Sequence, residues 1–246
     1  LKLVIDIGNS LAKLGVFDND NKIISLHKTY RNEKQIIGEI SNVLSENLLI
    51  RRAIISSVSD VSAHIKDFLE QRNISVLNFD SQTPIPIKNL YKTPVTLGTD
   101  RLAAVIGANF ISPGMDILVF DAGTALTSDF INASGEYLGG VISPGLTMRF
   151  EALHHFTRKL PICEINPIFD KIIGDSTKSA ITAGVQNGIV FEIEGYITNY
   201  KLKYPNVKVF LTGGDIFFFE NKLKNNIFAQ PDLLLIGLNR ILEYNA

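Results

Sequence analysis

The sequence predicts an α/β fold in which one structural plan is used twice. Two observations carry this expectation. Leu3–Ser10 reads LVIDIGNS and Leu118–Ala125 reads LVFDAGTA; each is an apolar run followed by Asp, an apolar residue, Gly and a short polar or small pair. Around each segment, apolar β-branched runs alternate with stretches whose apolar residues recur at helical spacing.

In the first half, 2–7 is apolar and β-branched, as a buried strand requires, and 13–17 continues extended. Asp18-Asn19-Asp20-Asn21 is a turn cluster. With a strand over 22–30, these residues form an antiparallel meander. Ile36, Ile37, Ile40, Val43, Leu44 and Leu48 predict a helix over 33–49. A short buried strand follows at 53–58, then a helix over 62–72 capped by Ser59 or Ser62, then a strand over 74–79. Pro84, Pro86 and Pro94 make 80–96 mainly loop. Gly98-Thr99-Asp100-Arg101 opens an Ala-rich helix over 100–110, and Ser112-Pro113-Gly114 ends it.

The second half repeats the plan: strand 116–121, loop 122–125, strand 126–131, turn 132–136, strand 137–142 and helix 145–156. A long helix spans 176–203. Its Gly184, Gly188 and Gly195 suggest close packing on another helix, because each costs about 1 kcal/mol relative to Ala. A strand over 207–212 ends in Gly213-Gly214-Asp215, and 233–244 is a final helix. Strands 53–57 and 209–213, both apolar and ending in small residues, extend the duplication. The expected domains are 1–113 and 114–246, with the active-site cleft between them.

Composition narrows the function. At 246 residues, with 46% hydrophobic and a mean hydropathy of +0.16, the chain can bury a substantial core. Its 24 basic and 25 acidic residues give no bulk attraction to nucleic acid or an anionic membrane. No apolar run approaches the roughly 18–20 residues needed to span a bilayer. The first residues lack the order of a signal peptide, so a cytoplasmic location is expected. The single cysteine, Cys163, excludes an intrachain disulfide; in the strand-like run LPICEI with no adjacent His, it reads as a buried bystander.

The repeated turn carries the chemistry. A buried strand ending in Asp-x-Gly sets a carboxylate at its tip, and Gly lets the main chain approach a ligand closely. Two such turns facing each other can hold a polyphosphate and its metal. Asp6 would orient Mg²⁺ or its water shell, the Gly8-Asn9-Ser10 loop would contact phosphate oxygens, and Lys13 could reach them as a point charge. Asp121 would be a second cation ligand, and Thr124 would offer a hydroxyl and an amide. Without a cation the two carboxylates would repel.

In Gly98-Thr99-Asp100-Arg101, Thr99 or Asp100 either caps the helix or, for Asp100, serves as a general base, with Arg101 holding a substrate anion. Gly213-Gly214 either makes a left-handed turn or leaves room for a flat adenine or ribose. Asp175 or Ser176 caps the long helix, beside Thr177. His154-His155 point about 100° apart on a helix and make a poor metal pair. No P-loop, dinucleotide fingerprint or nucleophile elbow is present.

In order, DIGNS at 6–10, GTDR at 98–101, DAGTALTSDFI at 121–131, GGVISPGLTMRFEALHHFTRKLP at 139–161, LTGGD at 211–215 and PDLLLIGLNRIL at 231–242 form a set. That set resembles the type III pantothenate kinases, members of the actin–Hsp70–sugar kinase superfamily. The resemblance implies two duplicated ribonuclease-H-like halves with mixed five-stranded sheets. It also implies ATP-dependent phosphorylation of pantothenate, the first step towards coenzyme A. By position it implies that Asp6 belongs to a phosphate and Mg²⁺ loop reaching Lys13, and that Asp100 is the general base within a pantothenate-binding turn, Gly98–Arg101. Tyr91 would be a further substrate contact and Asp121 the ligand of a monovalent cation, potassium or ammonium. Thr124 would meet ATP, and Thr177 would meet substrate from the partner subunit of a homodimer whose sites form at the interface. Two other readings are a regulatory protein of the same family without kinase activity, and a kinase of the same superfamily for another small hydroxyl substrate.

Overall fold

The computed structural model describes residues 1–9, 11–57 and 62–246; Ser10 and the expected cap Ser59 lie outside the described residues. The chain forms two compact units, Leu1–Pro113 with Asp232–Ala246, and Gly114–Pro231.

The first unit is built on the strands Lys2–Ile7 (β1), Leu11–Phe17 (β2), Ile23–Tyr30 (β3), Arg52–Ser57 (β4) and Ser75–Asn78 (β5). Their order in the sheet is β3-β2-β1-β4-β5. The first three form the expected antiparallel meander; β4 and β5 continue parallel to β1. Side chains alternate across a strand. Leu3, Ile5 and Ile7 therefore share one face, where they bury against Ile36, Ile40 and Val43 of Glu33–Glu46 (α1) and Ile65 and Leu69 of Ser62–Glu70 (α2). Asp6 falls on the other face, at the carboxyl end of the central strand. The proline-containing segment carries a short strand, Lys88–Asn89 (β6), and a 3₁₀ turn at Pro94–Thr96, before Thr99–Ile111 (α3).

The second unit repeats this plan with Ile117–Ala122 (β7), Ala125–Ile131 (β8), Glu136–Pro144 (β9), Lys208–Thr212 (β10) and Phe228–Ala229 (β11). Among these five strands the order is β11-β10-β7-β8-β9, which is the first unit's order of meander and parallel strands. The match extends to burial: along β1 and β7 every residue is buried except the fifth, Asp6 or Asp121, which is half-buried. Even the register irregularity recurs, at Val16/Phe17 and at Phe130/Ile131. Leu146–His155 (α4) and Thr177–Lys203 (α5) cover the face bearing Leu118, Phe120 and Ala122. A short helix, Ile216–Glu220 (α6), and β11 were not anticipated. Residues 160–165, expected to be strand-like, hold no regular structure, and Cys163 there is partly buried.

The chain then enters its last helix, Leu233–Tyr244 (α7), which packs on α3, β1 and β4. The division therefore differs from 1–113 and 114–246 at its end: Asp232–Ala246 belongs with the first unit. The physical reason is an unusually close helix crossing. A Cβ on Gly237 would stand 1.8 Å from the carbonyl oxygen of Ala103, and one on Gly107 2.2 Å from that of Leu233. The backbones of α3 and α7 touch where only Gly fits. Polar ties add to this contact. Lys2 Nζ, buried, donates to Glu243 Oε1 at 2.9 Å and to Asn21 Oδ1 at 2.8 Å, and Arg52 Nη2 donates to the Leu242 carbonyl at 2.6 Å.

The glycines of α5 behave otherwise. Apart from the backbone of α5 itself, no heavy atom of the described chain lies within 4 Å of a Cβ built at Gly184, Gly188 or Gly195. Within the chain, the expected close packing on another helix is therefore not found. The buried stripe of α5 is Ile181, Val185, Ile189, Ile193 and Ile197, at intervals of one turn, and the glycines lie off it.

Gly237→Ala should destabilise by about 1–3 kcal/mol, as overpacking of a closed contact does. Gly38→Ala, with nothing within 4 Å of the new methyl on α1, should stabilise by about 0.5–1 kcal/mol. Urea denaturation of both variants checks the contrast.

Candidate active site

In the first unit, the strand ends gather the predicted residues. Asp6 lies opposite Lys13 of β2 and beside Ser56 of β4. Cross-strand partners share a face, so Lys13 projects on the same side of the sheet as Asp6. Gly8 closes the turn by donating its N–H to the Leu11 carbonyl at 3.0 Å, and the Asn9 carbonyl accepts from Arg31 Nη1 at 3.2 Å. Ser56, which sequence reasoning missed, ties this edge to the GTDR turn: its Oγ is 3.2 Å from Thr99 Oγ1. No motif marks Ser56; only the parallel pairing of β1 and β4 brings it there.

The GTDR turn is shaped around Asp100. The residue preceding the helix is Gly98, with no side-chain capping bond, so the reading of Thr99 or Asp100 as the cap is corrected. Asp100 Oδ1 instead accepts the Arg101 backbone N–H at 2.8 Å. A Cβ at position 98 would fall 2.3 Å from that same oxygen, so Gly98 leaves the space the carboxylate occupies. The start of a helix favours negative charge, so the Asp100 carboxylate in the first turn of α3 is well placed. Arg101 is 6% exposed, and its guanidinium carbon stands 5.7 Å from the centre of the Tyr91 ring. Tyr91 and Arg101 thus form one substructure, with the Tyr91 N–H donating to Asn89 Oδ1 at 2.9 Å.

In the second unit, Asp121 lies opposite Thr127 and beside Thr212. Gly123 N–H donates to the Ala125 carbonyl at 3.0 Å, the equivalent of the Gly8 bond across a loop one residue shorter. Thr124 is exposed at its tip. The Gly213-Gly214 turn packs on the same strand end. Gly213 has φ +102°, and a Cβ there would meet the Ala122 carbonyl oxygen at 2.3 Å. Gly214 faces open space. The Asp215 N–H donates to the Ala122 carbonyl at 2.9 Å. Burial pushes the Asp215 carboxyl above the ordinary carboxylate range.

Away from these turns, Ser176 caps α5 in a reciprocal box with Ser179, and Thr177 is exposed at its first position. Asp175 is ion-paired with Lys171 at 2.9 Å, which holds its carboxyl below the usual range. His154 Nδ1 lies 2.8 Å from the Leu160 carbonyl oxygen. Among the described residues, no three His, Cys, Asp or Glu side chains gather as a metal site. A hard cation at Asp6 or Asp121 would therefore take most of its ligands from phosphate and water, which suits Mg²⁺ and the alkali cations. No described helix is long and apolar enough to cross a membrane.

Two sheets of the same strand order, each with an acidic glycine turn after its central strand, define a protein of the actin–Hsp70–sugar kinase fold. The ROK family glucokinase of Streptomyces griseus, solved with glucose and AMPPNP, superposes with a TM-score of 0.53 at 13% identity, over 99% of both chains. A Campylobacter jejuni protein described as a Baf family transcriptional activator superposes with a TM-score of 0.61 at 24% identity, over 99% of this chain and 98% of its own. At these identities the likeness speaks for the fold. Residues 2–199 match the family described as type III pantothenate kinase, and the chain belongs to that family. A Phocaeicola vulgatus protein named type III pantothenate kinase is 48% identical over 248 residues, spanning 100% of this chain and 99% of its own length.

The raised carboxyl of Asp215 has a consequence for stability. A folded-state pKa above the unfolded value favours the neutral form, so the cost of burial is absent in acid and appears as pH rises through the carboxylate range. Asp215→Asn should therefore raise the melting temperature at pH 7 and lose that advantage near pH 3, measured by thermal unfolding across pH.

Proposed function

We propose that this chain transfers the γ-phosphoryl group of ATP to the primary hydroxyl of pantothenate, giving 4'-phosphopantothenate, the first step of coenzyme A biosynthesis. Membership of the type III pantothenate kinase family supports the substrate. The observation that carries the mechanism is the Thr99–Ser56 hydrogen bond. It ties the start of α3, which holds Asp100, to the strand beside Asp6, so the group read as accepting a proton and the group read as meeting phosphate sit on linked elements of one unit.

In this reading Asp100 accepts or orients the proton of the attacking hydroxyl, and Arg101, its guanidinium carbon 5.7 Å from the Tyr91 ring centre, holds the pantothenate carboxylate through its planar fork. Tyr91, Gly98 and Thr99 shape the acceptor side. Asp6, Gly8, Asn9, Ser10 and Lys13 attend the phosphates, as do Asp121 and Thr124. Gly213 and Gly214 leave room for the flat parts of the nucleotide. Mg²⁺ at Asp6 and a monovalent cation at Asp121 would offset phosphate charge during transfer. The work of the protein is positioning and charge stabilisation.

A homodimer belongs to the same proposal, with Thr177 reaching the partner's substrate. Phe156, Ile168 and Ile173 are 83%, 89% and 81% exposed between α4 and α5, and Phe191 is 60% exposed among the open glycines of α5. Large apolar side chains exposed to this degree support the reading of an interface here. A cytoplasmic location is part of the same reading. A purely regulatory role has no use for Asp6, Asp100 and Asp121 together.

Asp100→Asn should lower kcat at least about 100-fold with little change in KM, as loss of a general base does. Turnover within about threefold of the parent, about 0.6 kcal/mol, would remove Asp100 from that role. The parent should turn over ATP faster in potassium than in sodium, and Asp121→Ala should abolish the difference. A parent indifferent to the salt removes the monovalent site.

A further inference from the structure

The Ser143-Pro144-Gly145 segment ends β9 and leads into α4, where it runs beside the Asp121 loop: Pro144 pairs with Ala125 and Ser143 with Leu126. Gly145 is the point of contact. Its N–H donates to the Thr124 carbonyl at 3.1 Å. A Cβ on it would lie 2.2 Å from the Gly123 carbonyl oxygen and 2.4 Å from that of Thr124. The two peptides of the loop therefore rest on Gly145 with no slack, and a displacement of that glycine is passed directly to them.

One guanidinium holds Gly145 from behind. Arg149 Nε donates to the Pro144 carbonyl at 2.8 Å. Its Nη2 donates to Ser143 Oγ at 3.2 Å and to Glu192 Oε2. Ser143 Oγ in turn donates to Glu192 Oε1 at 2.6 Å. Glu192 stands on α5 between core positions, since its neighbour Ile193 is fully buried. The Arg149 and Glu192 side chains are only 21% and 24% exposed. The connection runs from the core of the second unit through Glu192 and Arg149 to Gly145, and so to Thr124. α4 does not need this network to stay in place, because Leu146 and Phe150 anchor it in the core.

We propose that Arg149 and Glu192 are a positioning pair that sets the Gly123-Thr124 loop for nucleotide phosphates. The proposal rests on the reading of that loop as an ATP contact. The geometry calls for a fork: Nε and Nη2 of one side chain hold a carbonyl, a hydroxyl and a carboxylate in fixed relation. Lysine supplies charge but no fork.

Steady-state kinetics of the parent, Thr124→Ala, Arg149→Lys and Glu192→Gln, with melting temperatures, test it. Arg149→Lys and Glu192→Gln should each raise KM for ATP about fivefold or more, leave KM for pantothenate within about twofold and leave the melting temperature nearly unchanged. Should an Arg149 or Glu192 variant fail to fold, Ser143→Ala, which removes one hydroxyl, should show the same split. If Thr124→Ala raises KM for ATP while the other variants match the parent, the loop reading stands and the positioning pair is wrong. If the constants for both substrates rise together with a fall in melting temperature, the pair is structural and the proposal is overturned. If Thr124→Ala leaves KM for ATP at the parent value, the loop does not meet the nucleotide, and the proposal falls with that reading.

Discussion

Burial of the central strand in each unit is the constraint from which the rest follows. Leu3, Ile5 and Ile7 in one unit, and Leu118, Phe120 and Ala122 in the other, lie at or below 2% exposure against their helices. Each large apolar side chain so placed contributes about 1.5–3 kcal/mol relative to exposure. Both faces of the strand are largely buried, and a one-residue slip would carry the aspartate into the helix-covered face, where an unpaired carboxylate is costly. With the register set, the residue one place before the last apolar position has to stand on the opposite face at the strand's carboxyl end. That residue is Asp6 in one unit and Asp121 in the other, so the placement of both acidic residues at strand ends follows from apolar packing.

The turns that follow are shaped by close backbone approach. Gly98 leaves space for the Asp100 carboxylate, Gly145 for the peptides of the Asp121 loop, and Gly213 for the Ala122 carbonyl. Each is a place where a side chain would displace a group at or beside residues read as part of the chemistry. The same device, used at Gly107 and Gly237, brings two helices of the first unit into backbone contact. Glycine thus serves this chain twice, once to seat a helix and once to seat functional groups. Which of the two applies depends on what lies opposite, and that is not written beside the glycine in the sequence.

Much of the site was legible, and the illegible part has a common cause. Asp6 and Asp121 stood out because an Asp-x-Gly turn recurs after an apolar run, and Asp100 stood out because it begins a helix in a distinctive tetrapeptide. Ser56, Thr127 and Thr212 carry no such mark; they join the site only as pairing partners of Asp6 and Asp121. Glu192 is separated by a long stretch of chain from the Arg149 and Ser143 it binds, and helical spacing on α5 gives no hint of that partner. The α5 glycines misled for the opposite reason. Their number suggested packing, but the isoleucine stripe alone decides which face of α5 turns inward.

The amino-acid order by itself determined the alternation of strands and helices, the duplication of the meander and its acidic turn, and the family, because these depend on local periodicity and on contiguous motifs. Tertiary structure alone decided that the last helix returns to the first unit, that the second acidic loop is a residue shorter, and which hydroxyls and carbonyls stand beside each carboxylate. Those facts depend on contacts between segments far apart in the chain, where burial and close backbone approach select one arrangement that no local pattern encodes.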